Sequence, residues 1–158
     1  MTNKYRIIKK GKDKGRIEAL RAFSDVKKGD IGGFIGSEYN LSQSGLCWVF
    51  GNARVYEDAM VYGNAMVYYN AEVSGNAEVC GYASVSGNAE VCGYASVYDN
   101  AMVYDNASVY GNARVCDNAL ISGNASVSGN VRAYGDARVS GNARVSGNAW
   151  VFDGEINE

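Results

Sequence analysis

The side chains that carry most enzyme chemistry are scarce in this chain, and their spacing does not assemble a reaction centre. Its 158 residues contain no histidine. That removes the side chain best suited to general-base work near neutral pH and the commonest nitrogen ligand for zinc. Four cysteines are present, Cys47, Cys80, Cys92 and Cys116, but no pair has metal-ligand spacing. Glu72 and Glu90 are the one carboxylate pair that a regular repeat brings onto a common face, where acid–base chemistry is conceivable in principle. On a flat exposed face without a cleft, such a pair is ordinary solvated decoration. Lys9, Lys10, Lys12 and Lys14 form a basic run that suits phosphate contacts. A solvated turn whose lysines discourage edge pairing explains the same run more simply.

The elements that position these side chains are dictated by a six-residue repeat from Val49 to Phe152. One unit reads Val-Tyr-Gly-Asn-Ala-Met, from Val61 to Met66. The valine position recurs every six residues from Val55 to Val151, with Ile121 and Ala133 standing in. A small residue follows four positions later, from Ala59 to Ala149, broken only at Val131. Read from the alanine, Ala-x-Val-y is a short strand with Ala and Val facing inward and x and y facing outward. Gly-Asn then turns a corner, because both tolerate the left-handed backbone region. A strand and a corner every six residues close a triangle in eighteen, and successive coils stack about 4.8 Å apart. Short fixed periods are the mark of a solenoid. The chain contains no proline, which would remove donors from the ladder between coils. The expected fold is all-β, a parallel β-helix of about six coils with an N-terminal β-hairpin cap.

Charge is unevenly distributed around a formal net of −2. Met1 to Arg54 carries eleven Lys/Arg against five Asp/Glu; Val55 to Tyr110 carries no basic residue against seven acids. The start is basic and the early helix acidic. There is no signal peptide and no apolar run long enough to span a bilayer. Cys47 falls on an inward position and the other three cysteines on outward ones. Cys80 and Cys116 share a face two coils apart, beyond disulfide reach. Reduced thiols in a cytoplasmic protein are the expectation.

In chain order, Met1 to Asn3 is expected to fray. Tyr5 to Ile8 and Arg16 to Phe23 read as a hairpin around a turn at Lys9 to Lys14. Ile31 to Ile35 brings the chain onto the solenoid. Ile35 and Leu41 are already six apart, and the eight residues from Leu41 to Val49 imply a small insertion in the first coil. Residues 1–47 are taken as the cap leading into that coil. Residues 48–158 are taken as the β-helix with a short acidic tail, Asp153 to Glu158, too short to make a cap of its own.

The segment Ile17-Glu18-Ala19-Leu20-Arg21-Ala22-Phe23, followed by Val26, Gly29-Asp30, Gly32-Gly33, Asn40-Leu41-Ser42 and Cys47-Trp48-Val49 and then by the repeats, resembles the N-terminal module of YdcK-like hexapeptide-repeat proteins of bacteria, phages and prophages. The resemblance covers nearly the whole chain. It implies a left-handed parallel β-helix. Proteins of that fold include acetyltransferases with a histidine base, carbonic-anhydrase types with histidine zinc ligands, and ice-binding types with threonine rows. This chain lacks histidine, and its only threonine is Thr2. No catalytic residues carry over, and trimers are common in the fold.

Outward residues then become the informative ones. A first face stacks Trp48/Phe50, Met66/Tyr68, Ser84/Ser86, Met102/Tyr104, Leu120/Ser122 and Arg138/Ser140. A second stacks Met60/Tyr62, Glu78/Cys80, Ser96/Tyr98, Arg114/Cys116, Arg132/Tyr134 and Trp150/Phe152. A third, from Arg54/Tyr56 to Arg144/Ser146, is the most polar. Outward apolar residues on a rigid sheet suit an interface, although tyrosine is also simply a good strand residue. The candidate interaction surface is Trp48, Met66, Tyr68, Met102, Tyr104, Leu120, Trp150 and Phe152. Tyr82 and Tyr94 replace the corner asparagine and are marked departures. The expected function is a non-catalytic binding or scaffold protein. The reading extends to a phage-encoded protein acting on a host protein, for example as an anti-defence inhibitor. The alternative is an acyltransferase-like enzyme without the usual histidine. No catalytic residue, cofactor or metal is expected. The expected partners are a second or third copy of the chain and a host protein, with no membrane and no nucleic acid.

Overall fold

The computed structural model describes residues 3–12 and 14–158. The frayed start therefore lies outside the described residues at Met1 and Thr2, and the expected turn does so at Asp13. The hexads form a triangular parallel β-solenoid whose sides are three stacks of short strands. Most strands are two residues long, such as Arg54–Val55 and Met60–Val61. Pairs eighteen residues apart are in register: Val67 opposite Val85, Val85 opposite Val103, Val103 opposite Ile121. The inward alanines and valines are shielded from water through the middle coils. Outward amides donate to carbonyls seventeen residues ahead, as Arg54 to Ala71 at 2.9 Å and Asp58 to Gly75 at 2.9 Å. Stability is thus spread over repeated, nearest-neighbour interfaces.

There are seven turns, one more than the spacing from Val49 to Phe152 predicts. The extra turn lies inside the segment read as the cap. Strand β3 (Ile31–Ile35) runs parallel to Arg54–Val55, with Phe34 opposite Arg54 and Ile35 opposite Val55. Leu41 bridges to Val61, and Trp48–Val49 lies beside Met66–Val67. These three sides are a complete coil built from non-repeating sequence. At the other end, the tail is not loose. Glu155–Asn157 pairs in parallel with Arg138–Ser140 and brings Ile156 opposite Val139.

The hairpin forms as expected, in shorter strands. Strand β1 (Tyr5–Ile7) is antiparallel to β2 (Arg16–Ala19), with Tyr5 opposite Ala19. It covers the first coil, and its core is continuous with that of the solenoid. Gly32 and Gly33 allow the close approach. A Cβ at Gly32 would lie 2.5 Å from Val49 O, and one at Gly33 would lie 2.5 Å from Ala53 O. Lys4 is buried here. Its ammonium donates to Cys47 O at 2.9 Å and Ser44 O at 3.2 Å, and lies 3.2 Å from Cys47 Sγ. Burial lowers the Lys4 pKa and raises that of the Cys47 thiol. All four cysteines are free thiols.

The corners correct one expectation. The left-handed residue is the glycine of Gly-Asn alone; Gly75 has φ +67° and Gly93 +70°. No corner asparagine among the described residues has positive φ. The asparagines instead build ladders between coils, with Asn70 donating to Asn88, Asn88 to Asn106 and Asn106 to Asn124 at 3.1–3.2 Å. Where glycine is replaced, an acid recovers part of the conformational penalty. Glu57, Asp105 and Asp117 hold φ of 57°, 61° and 58°, and each accepts a bond from the glycine amide one coil on.

Candidate functional site

The x and y positions of each strand decide what the three sides offer, because only they leave the core. On the first side, Trp48 must be withdrawn from the expected interaction surface. It is 1% exposed, with Phe23 edge-on at 5.3 Å and Tyr5 at 6.2 Å between ring centres. The hairpin folds over this position, and the hexad register alone contains no information about what covers an outward residue. Met66, Tyr68, Tyr104 and Leu120 are half-buried, because neighbouring coils flank each of them; Met102 is 46% exposed. Phe50 stacks on Tyr68 at 4.8 Å, which joins the start of this side to the next coil.

Most of the largest open apolar groups border the second side; Tyr69, 69% exposed at the corner between the first and third sides, does not. Tyr82 and Tyr94, at the corners bounding it, are 70% and 67% exposed; at its far end Trp150 and Phe152 are 66% and 58% exposed. Met60 and Tyr39 extend it toward the cap, around a shallow cavity shared with Leu41 and Tyr62. Tyr82 and Tyr94 were legible as breaks in the asparagine column. Tyr39 lies in a one-turn helix, Glu38–Asn40, outside the repeat, and no pattern pointed to it. Asn40 anchors that turn by donating to Ala59 O and Glu57 O at 2.8 and 2.9 Å.

Lower on the same side, Arg114 and Arg132 are directly opposed on adjacent strands, and Arg132 is opposed in turn to Trp150. A groove of about 230 Å³ lies among these residues, Tyr98, Cys116, Asp117 and Tyr134. The Cys116 thiol beside it, with burial, pushes the Tyr98 phenol up to about 12. Asp99, Cys116 and Asp117 bring one ligand-type atom each within 4.8 Å of one another. Coil stacking creates this trio, which linear spacing does not reveal. The Asp117 carboxylate is committed to the Gly135 amide at 2.9 Å. Glu72 and Glu90 are opposed on the third side, where Glu72 accepts from the Tyr56 hydroxyl at 3.1 Å.

No helix among the described residues is long and apolar enough to cross a membrane. No curated protein matches the chain. Residues 95–112, 113–129 and 137–153 match the family model of the YdcK beta solenoid repeat. Each match spans about one turn of the triangular stack, and the register of the remaining coils is consistent with the same YdcK-like β-solenoid repeat.

Proposed function

We propose that the chain is a non-catalytic binding scaffold whose second side docks a partner protein. The observation that carries this is the set of exposed aromatic and thioether groups on the second side, with Tyr39 and Met60 at its start, Tyr82 and Tyr94 at its two bounding corners, and Trp150 and Phe152 at its end. A ring that stands mostly in water gains free energy only when a partner covers it, at about 25 cal/mol per Å² of apolar surface. At Tyr82 and Tyr94 the tyrosine also forgoes the ladder bond that asparagine makes at equivalent corners, so its presence contributes nothing evident to folding. Aromatic residues and methionine are the types enriched in protein interfaces. The missing histidine supports a non-catalytic reading over the acyltransferase-like one. In the phage setting that the resemblance implies, the partner is a host protein.

The test is a paired comparison. Tyr82→Glu with Tyr94→Glu places charges on the second side; Met102→Glu with Leu120→Glu does the same on the first. Affinity capture from a bacterial lysate is expected to retain a protein with wild type and with the first-side variant, and to lose it with the second-side variant. Equal retention by both variants, or turnover of acetyl-coenzyme A by the purified chain, overturns the proposal.

A further inference from the structure

We infer that the groove at the lower end of the second side is a ligand site for a small phosphate monoester that also bears a flat aromatic ring, such as a mononucleotide or an aryl phosphate. The inference is independent of protein docking and rests on how the coils stack two arginines beside an open indole. Arg114 and Arg132 are register partners on adjacent strands, which places their side chains side by side at roughly the 4.8 Å coil spacing. Like charges directly opposed across strands are destabilising. Among the described residues the only ion pair is Arg6 with Glu18, so no carboxylate neutralises either guanidinium. Asp117 lines the same groove and Asp99 lies beside it; both keep their negative charge, but neither is within ion-pair distance of Arg114 or Arg132.

What would neutralise the pair is an anion able to engage both forks at once. Each guanidinium presents five donors in a fixed plane, a geometry matched to phosphate oxygens. The ring half of the ligand is set by Trp150. The Arg132 guanidinium lies 5.2 Å from the indole centre, and Tyr134 meets Trp150 edge-on at 6.3 Å and 81°. Those contacts fix the indole, while two-thirds of the residue stays open. Arg132 covers one face of the indole, so the ligand's planar ring would lie on the face left open, with its phosphate turned back toward Arg132 and Arg114. The groove, at about 230 Å³, is smaller than the roughly 300–1,000 Å³ of drug-sized ligand pockets, so it would hold only part of a mononucleotide or an aryl phosphate and nothing larger.

The chain has two tryptophans, and Trp48 is buried beneath the hairpin, so the exposed-tryptophan fluorescence reports Trp150. Titration with adenosine monophosphate is expected to quench it saturably with a Kd below about 1 mM. Adenosine and inorganic phosphate, each lacking half of the recognition, are expected to bind at least about tenfold more weakly. Arg114→Gln with Arg132→Gln should weaken the nucleotide by about tenfold or more while leaving the far-ultraviolet spectrum unchanged and the melting point no lower, since the opposed like charges are relieved. Phenyl phosphate distinguishes the sources: equal binding assigns any aryl phosphate, and weaker binding assigns a nucleotide. No saturable quenching, equal binding of inorganic phosphate, or an unaffected double variant overturns the inference.

Discussion

At the scale of the residue, the core follows a volume rule rather than a composition rule. In the coil containing Asn130 the two inward residues are exchanged: Val131 occupies the small position and Ala133 the valine position, and both are fully buried. The exchange conserves volume, which is the kind of core substitution that proteins tolerate best. Val131→Ala alone should cost about 2 kcal/mol through a cavity, and Ala133→Val alone about 1–3 kcal/mol through overpacking. The double variant restores the regular hexad and should recover most of the loss. Urea denaturation of the three proteins measures this. Losses that simply add would show that the two positions do not share one packing layer.

The corner is the element that governs the stack, and its glycines differ in what surrounds them. A Cβ at Gly75 would lie 2.8 Å from the Gly93 amide nitrogen in the next coil, whereas one at Gly147 would meet nothing within 4 Å. Both have positive φ, +67° and +76°. An alanine at either position incurs the left-handed penalty of about 1–2 kcal/mol. Gly75→Ala should lose more than Gly147→Ala, because it also presses two coils apart. Thermal melts of the two variants decide: equal shifts in Tm would mean that the backbone conformation alone makes glycine necessary. Glu57, Tyr69, Asp99, Asp105 and Asp117 already hold the same conformation, and Glu57, Asp105 and Asp117 do so while bonding the glycine amide of the next coil, a compensation that alanine cannot make.

For the whole molecule, the three sides divide the remaining tasks. The third is dominated by serine, arginine and glutamate, and its hydroxyl and carboxylate groups suit water. The first carries Met66, Met102 and Leu120 in one column, interrupted by Ser84. We predict that the chain self-associates through this side, because outward methionine and leucine on a flat sheet gain only when covered. A closed dimer or trimer meets that need without filaments. Light scattering at micromolar concentrations should give a mass well above the 16.9 kDa of one chain, and Met102→Glu with Leu120→Glu should lower it. A wild-type mass of one chain would refute the prediction; an oligomer that survives this pair of substitutions but not Trp150→Glu with Phe152→Glu would move the interface to the second side.

The hexad alone determined the parallel solenoid, the eighteen-residue coil, the inward valines and alanines and the assignment of every outward residue to its side, because backbone alternation and a fixed corner leave one way to stack identical units. It also showed that histidine chemistry is absent. The tertiary structure decided what periodicity cannot encode. The six-residue step from Ile35 to Leu41 hinted at the first coil, but that Ile31 to Val49 closes a full coil was decided by the strands it joins. Trp48 is outward by register yet buried, since what lies over a side chain depends on a hairpin more than twenty residues away in sequence. The corner asparagine makes the bonds to the neighbouring coil that its column suggests but leaves the left-handed conformation to glycine, a distinction of dihedral angle that residue preference leaves open. The eighteen-residue coil already placed Arg114, Arg132 and Trp150 in one column; the structure added the guanidinium–indole contact and the groove beside it. Stacking turns such distances into a few ångströms, and the site exists only once the coils are laid on one another.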